Sequence, residues 1–146
     1  MSITRTTKKR RFKLDLDNNN HSVFKLHYHL IVCVKYRKQV INDVIATGIF
    51  ETFSKIGKTH RVELIEANHD VDHIHILMTA QPNTELSKFI GAFKAASSRL
   101  TKRKHPEIKK RLWKEFFWSQ SYCLITVGGA PLEILKAYID SQGESA

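Results

Sequence analysis

The chain has 146 residues, of which 42% are hydrophobic and 26% charged, the balance of a single soluble globular domain with a core of its own. Lys and Arg number 24 against 14 Asp and Glu, and the resulting net charge of +10 points to a polyanionic partner. No run of about 18 apolar residues could cross a membrane, the basic N-terminus lacks a secretory apolar segment, and only two distant cysteines, Cys33 and Cys123, are present. A cytoplasmic protein with reduced core thiols is therefore expected, without a CxxC metal or redox site.

Residues 1–20 carry Arg5, Lys8, Lys9, Arg10, Arg11 and Lys13 and end in Asp17-Asn18-Asn19-Asn20. They read as a flexible basic arm, followed by one domain over 21–146. A first strand is predicted from about Phe24 to Lys35. Its run Leu30-Ile31-Val32-Cys33-Val34 is apolar on both faces, as a central strand requires. Asn42 is a candidate N-cap. Ile45, Ile49, Phe53 and Ile56 give the stripe of a first helix, closed by Gly57. Strands follow at Val62–Ala67 and Val71–Thr79, turning around Asn68-His69-Asp70.

A second helix starts at Pro82-Asn83-Thr84, with the stripe Leu86, Phe89, Ile90, Phe93, Ser97 and Leu100. Lys88, Arg99 and Lys102 lie on its opposite face, and Pro106 ends the pattern. A second basic block runs from Arg99 to Lys114. Trp118–Val127 reads as a fourth strand, Gly128-Gly129 as a pivot, and Pro131–Gln142 as a last helix. The fold class is α+β. The order β-α-β-β-α-β is that of ferredoxin-like, RRM-like antiparallel sheets with helices on one face. A C-terminal helix is added to it.

The opposite face of the sheet is free for chemistry. His73 and His75 flank Ile74 in Asp72-His73-Ile74-His75-Ile76-Leu77. Side chains alternate along a strand, so both imidazoles leave one face and could share a divalent metal. His27-Tyr28-His29 has the same spacing, and strand histidines are more often merely packed. A metal also needs a third ligand. Tyr138 and Gln142 are four residues apart, one turn of one helix face, while Leu135 and Ile139 can anchor that helix. A tyrosine is a nucleophile only where a cation or base eases phenolate formation. Periodicity alone favours a half-buried helix aromatic beside a surface glutamine.

Several motifs in order resemble a known family. They are His29-Leu30-Ile31-Val32 leading to Lys35-Tyr36-Arg37, Asp72-His73-Ile74-His75-Ile76-Leu77, and Leu86-Ser87-Lys88-Phe89-Ile90-Gly91. Then come Lys94, Ser97-Ser98-Arg99-Leu100, Phe117-Trp118-Ser119-Gln120-Ser121-Tyr122, and Val127-Gly128-Gly129 leading to Tyr138-Ile139-Asp140-Ser141-Gln142. From about Tyr28 to Gln142 the chain is similar to the small single-tyrosine HUH transposases of insertion sequences, the TnpA-like enzymes.

The resemblance implies a metal-dependent transposase for single-stranded DNA that recognises hairpins at element ends. Tyr138 would be the nucleophile, leaving a 5′-phosphotyrosine and a free 3′-OH. His73, His75 and Gln142 would hold Mg²⁺ or Mn²⁺, and His27 and His29 would be structural. It further implies a homodimer whose tyrosine helices complete the partner's sites. Lys35, Arg37, Lys88, Lys94, Arg99, Lys102, Arg103 and Lys104 are the expected phosphate contacts. Three other readings compete. A non-catalytic, domesticated hairpin-binding protein would not need Tyr138 and Gln142. A water-using phosphodiesterase would want more carboxylates than Asp70 and Asp72. A relaxase or replication initiator shares the HUH pair but orders its motifs differently.

Overall fold

The computed structural model describes residues 25–127 and 132–143, with the side chains of 132–135 excepted. The expected basic arm, the Gly128-Gly129 pivot, Pro131 and the side chain of Leu135 lie outside the described residues.

The elements run β1 (Leu26–Cys33), α1 (Asp43–His60), β2 (Val62–His69), β3 (His73–Ala80), α2 (Leu86–Lys104), β4 (Cys123–Thr126) and α3 (Leu132–Ser141). The four strands form one sheet in the order β2-β3-β1-β4, with all pairings antiparallel. This is the split β-α-β topology expected from the element order. Among the described residues, no helix is long and apolar enough to cross a membrane.

Alternation along β1 and β3 divides the sheet into two faces. Leu30, Val32, Ile74, Ile76 and Met78 are buried in the main core with α1 and α2. Ile31 and Cys33 face the other way and form a second, smaller cluster with Cys123, Ile125, Tyr138 and Ile139. A helix thus lies on each side of β1, which explains why that strand is apolar on both faces. The main core centres on Phe53, whose ring meets Phe89 and Phe93 edge-on at centroid distances of 5.0 and 5.1 Å.

The helix ends carry local chemistry. Asn42 caps α1, its Oδ1 accepting the Ile45 N–H at 2.9 Å. Gly57 does not close this helix. Helical geometry continues to His60, and Arg61 makes the left-handed exit at φ 60° with its N–H donating to the Gly57 carbonyl. The glycine serves packing instead. A Cβ there would lie 2.5 Å from the Val62 carbonyl oxygen, so α1 can approach β2 only where no side chain intervenes. In α2 the first helical residue is Leu86, and Thr101 rather than Leu100 completes the buried stripe. Ser97 tolerates burial because its Oγ accepts the Trp118 indole N–H at 2.9 Å.

Two further boundaries shift. The β2–β3 turn lies at Asp70–Asp72, not around Asn68–Asp70, because Asn68 and His69 remain paired with His75 and Ile74. The fourth strand covers Cys123–Thr126 rather than Trp118–Val127. Val34 bridges Trp118, but the Lys94 ammonium then takes the Ser119 and Gln120 carbonyls at 2.7 and 2.8 Å. Those carbonyls serve a side chain instead of a strand ladder, and the segment arches away before β4.

Gly57→Ala should cost about 1–3 kcal/mol through forced separation of α1 and β2, and Asn42→Ala about 1 kcal/mol through loss of the cap. Urea unfolding of both variants checks this. A neutral Gly57→Ala would show that the close approach is not needed.

Candidate active site

The sheet face opposite α1 and α2, expected to be open, is covered by α3 over Ile31 and Cys33 and is free of those two helices only. β1 and β3 build its histidine-bearing part. Cys33 pairs in register with His73, and Ile31 with His75. Ile74 between the histidines is fully buried on the helix side, so strand geometry sends both imidazoles to the opposite face. Both are half-buried there.

His73 is oriented by its neighbour. Its Nδ1 lies 2.9 Å from Asp72 Oδ1, and the Asp72 carboxylate is only 5% exposed. A carboxylate accepts but does not donate, so the proton sits on Nδ1 and the Nε2 lone pair is left for a cation. Asp72 does not act alone. Its Oδ2 accepts from Arg37 Nε at 2.9 Å, and the same guanidinium donates to the Ile139 carbonyl at 3.3 Å and approaches Asp140 Oδ1 at 3.7 Å. One arginine thereby ties the histidine strand to the last turn of α3. Burial, with the nearby His29 and His73, lowers the pKa of His75, favouring the neutral imidazole that metal ligation needs.

His29 is not a bystander. Its Nδ1 lies 2.9 Å from His75 Nε2, with ring centroids 5.0 Å apart. His27, two residues earlier on the same strand, is exposed. His29 shares a hydrogen bond with a proposed ligand, because residues 29 and 75 lie diagonally across the β1–β3 ladder on one face.

α3 ends at Ser141, one residue short of the expected Gln142, which lies in the turn that follows with its N–H donating to the Ile139 carbonyl at 3.1 Å. Tyr138 and Gln142 still both reach Ser121. Tyr138 packs with Ile139 against Ile31 and Cys33, one strand over from the histidines on the same side of the sheet. The hydrogen bonds of this pair go to the β4 approach segment. Tyr138 Oη meets Ser121 Oγ at 3.1 Å, and Gln142 Oε1 accepts from Ser119 Oγ at 2.8 Å and from Ser121 Oγ at 3.5 Å. Neither bonds His73 or His75. Burial raises the Tyr138 pKa above its ordinary value, the Ser121 hydrogen bond opposes this, and Cys33 and Cys123 add to it. In this arrangement the side chain is a phenol, not a phenolate.

The donor set fits a divalent cation at two of its three positions. His73 presents a free Nε2 and His75 a neutral ring that must part from His29 or use Nδ1. Gln142 is engaged with the serines. Among the described residues, no group of three His, Cys, Asp or Glu side chains could hold a metal. Cys33, opposite His73, is no substitute ligand, since burial first and the Asp72 charge second push its thiol up to about 12.

The expected phosphate contacts divide into two sets. Arg37 and Lys94 are consumed by internal bonds, Arg37 to Asp72 and α3, Lys94 to two carbonyls. Burial and the nearby Lys35 charge lower the Lys94 pKa. Lys88 is exposed beside Glu85 at 3.7 Å. Arg99, Lys102 and Arg103 line an open groove of about 500 Å³ with Lys109, whereas Lys104 borders a different depression. Asp72 and Ser121 had no assigned role in the sequence reading. The only linear hint for Asp72 is its place directly before the first histidine. Nothing in the spacing reveals the Arg37 pairing across 35 residues.

Cys33 should resist a thiol reagent in the folded protein, because its thiolate is suppressed and it is wholly buried. Mass spectrometry after alkylation near neutral pH should find it labelled only after unfolding. Rapid native labelling of Cys33 would contradict the packing of this face.

Comparisons place these features in a family. Residues 22–142 match the family model described as "Transposase IS200 like". The ISDra2 transposase TnpA of Deinococcus radiodurans is 35% identical over 129 residues, covering 88% of this chain and 92% of that protein. The transposase for insertion sequence element IS200 of Salmonella typhimurium is 28% identical over 124 residues, covering 85% and 81%. A crystal structure from Deinococcus radiodurans R1, described as a transposase, superposes with a TM-score of 0.80 at 32% identity, covering 89% of this chain and all of that one. A REP-associated tyrosine transposase bound to a REP hairpin shares the fold at a TM-score of 0.54 and 10% identity, covering 92% of this chain and 69% of its own. With its four-stranded sheet, its histidine pair and a match over nearly the whole length, this chain belongs to the IS200-like transposase family.

Proposed function

We propose that this transposase cuts and rejoins single-stranded DNA through a covalent tyrosine intermediate. The observation that carries the reading is the Asp72–His73 pair, which leaves Nε2 of a half-buried imidazole on the face opposite Ile74 free beside a neutral His75. An imidazole oriented by a carboxylate with its Nε2 unengaged suits a divalent cation with open positions. Membership of the family supplies the reaction class.

His73, His75 and Gln142 would hold the ion, Mg²⁺ or Mn²⁺, with imidazole donors inclining the choice towards Mn²⁺. When bound, the ion supplies charge stabilisation to the non-bridging oxygens of the scissile phosphate. Tyr138 Oη attacks phosphorus in line. The phosphorus–O3′ bond breaks, Tyr138 keeps the 5′-phosphate as a diester, the phenolic proton leaves and the 3′-oxygen gains one. Attack by another 3′-OH reverses these steps and joins strands, so no external energy source is required. Ser121 is placed to hold the phenol before attack. To hold the ion, His75 would either part from His29 or use its Nδ1.

Hairpin ends are the proposed recognition element. The structural neighbour bound to a REP hairpin has the same fold, and the +10 net charge favours any such polyanion. The protein would act in the cytoplasm as a homodimer. Gln142 and Tyr138 bond to Ser119 and Ser121 rather than to the histidines, which supports a site completed only on assembly or on DNA binding, including completion by the partner's α3. A domesticated, purely DNA-binding protein is the alternative, and the same assay separates the two.

Wild-type protein incubated with a hairpin-bearing single strand and Mn²⁺ should give a covalent band on a denaturing gel. Tyr138→Phe should abolish it, a loss of at least about a thousandfold, with hairpin affinity retained. An adduct formed by Tyr138→Phe would refute the nucleophile. EDTA should stop cleavage and leave binding intact. Equal cleavage of duplex and single strands would refute the substrate class.

A further inference from the structure

Two short turns outside the catalytic face carry a cluster with no assigned role. Lys35–Arg37 follows β1 and Trp113–Glu115 precedes β4. The Lys35 N–H donates to the Phe117 carbonyl at 2.9 Å, which holds the two turns side by side. Tyr36 meets Trp113 edge-on at 5.2 Å, and Trp113 stacks on Phe116 at 5.9 Å with 24° between planes. Phe116 is 54% exposed. The Lys35 ammonium lies 5.4 Å from the Tyr36 ring and 5.7 Å from the Trp113 ring, and Lys114 lies 4.6 Å from the Trp113 ring. Among the described residues, neither lysine makes an ion pair.

The backbone marks the same place. Tyr36, Arg37, Lys114 and Glu115 all have φ between 50° and 63°, the left-handed region that side-chain-bearing residues avoid. Only Arg61, at a helix end, shares it among the described residues. Such strain concentrates where a surface is held ready for a ligand. The place is also next to the catalytic centre, since Arg37 follows Tyr36 and bonds Asp72, the partner of His73. On its other side Glu115 borders the groove of Arg99, Lys102 and Arg103.

We propose that Tyr36, Trp113 and Phe116 form a stacking ledge for an unpaired base of single-stranded DNA flanking the cleaved phosphate, with Lys35 and Lys114 meeting its backbone. A partly exposed aromatic cluster, rimmed by cations that make no ion pair among the described residues, is the chemistry that binds unstacked bases without regard to sequence. The proposal rests on single-stranded DNA being the substrate, and it adds where a flanking nucleotide sits.

The test uses full-length protein and a ten-residue oligo-dT. The protein has two tryptophans, and Trp118 is buried with its indole bonded to Ser97. Quenching of emission therefore reports on Trp113. Oligo-dT should quench the wild type. Phe116→Ala, a change at an exposed site, should weaken oligo-dT binding about tenfold. Trp113→Phe should remove the quench while affinity stays within about twofold, because phenylalanine still stacks. Lys114→Ala should lower the slope of affinity against salt by about one phosphate.

Wild-type emission unchanged by oligo-dT, or unchanged affinity in Phe116→Ala, overturns the ledge. If the wild type still forms the Tyr138 adduct in that case, the ledge alone fails. If the adduct is absent too, the reading of the active site falls with it. A Phe116→Ala variant that changes sedimentation but not oligo-dT affinity identifies a protein interface and also overturns the proposal.

Discussion

The two-residue period of β3 is the constraint on which the site depends. Ile74, Ile76 and Met78 are buried under the two helices, and this obliges His73, His75 and Leu77 to occupy the other face. A slip of one residue against β1 would drive the imidazoles into the Phe53–Phe89–Phe93 core and expose three apolar side chains. Burying each of those side chains is worth about 1.5–3 kcal/mol, so the register is held firmly. The placement of the two imidazoles is thus secured by hydrophobic packing on the face behind them.

The histidine-bearing face is then organised by one carboxylate and one guanidinium. Asp72 fixes the tautomer of His73 and takes its charge balance from Arg37. Arg37 continues to the Ile139 carbonyl and Asp140, so the strand that carries the histidines and the helix that carries Tyr138 share a single cation. Removing a partner from a buried, hydrogen-bonded pair leaves an uncompensated charge, which costs far more than a surface ion pair contributes. Arg37 looked from its position like a phosphate contact. Its geometry also makes it a tie between two parts of the site.

Lys94 teaches the same lesson about basic residues. It sits half-buried at the edge of the apolar stripe of α2 in a strongly basic chain, and charge alone marks it for DNA. Its ammonium instead satisfies two carbonyls that the arching chain before β4 would leave without partners. That arch shortens the fourth strand and sets Ser119 and Ser121 where Gln142 and Tyr138 meet them. Just before it, the Lys35 N–H bond to the Phe117 carbonyl holds Trp113 and Phe116 beside Tyr36.

Much was legible in the linear chain because it depends on neighbours two to four residues apart. Alternation in His73-Ile74-His75, the stripe from Ile45 to Phe53, the Asn42 cap and the one-turn spacing of Tyr138 and Gln142 are local matters of strand and helix geometry. The element order followed from them, and with it the ferredoxin-like sheet. Contacts between residues far apart were not legible. The His29–His75 bond depends on the β1–β3 register, the Arg37–Asp72 pair on where a turn lands, and the role of Gly57 on the approach of α1 to β2. The sequence by itself determined which residue types stand on one face of each element. The tertiary structure alone decided which faces meet, because hydrogen bonds and close packing act over a few ångströms in space however many residues separate the groups.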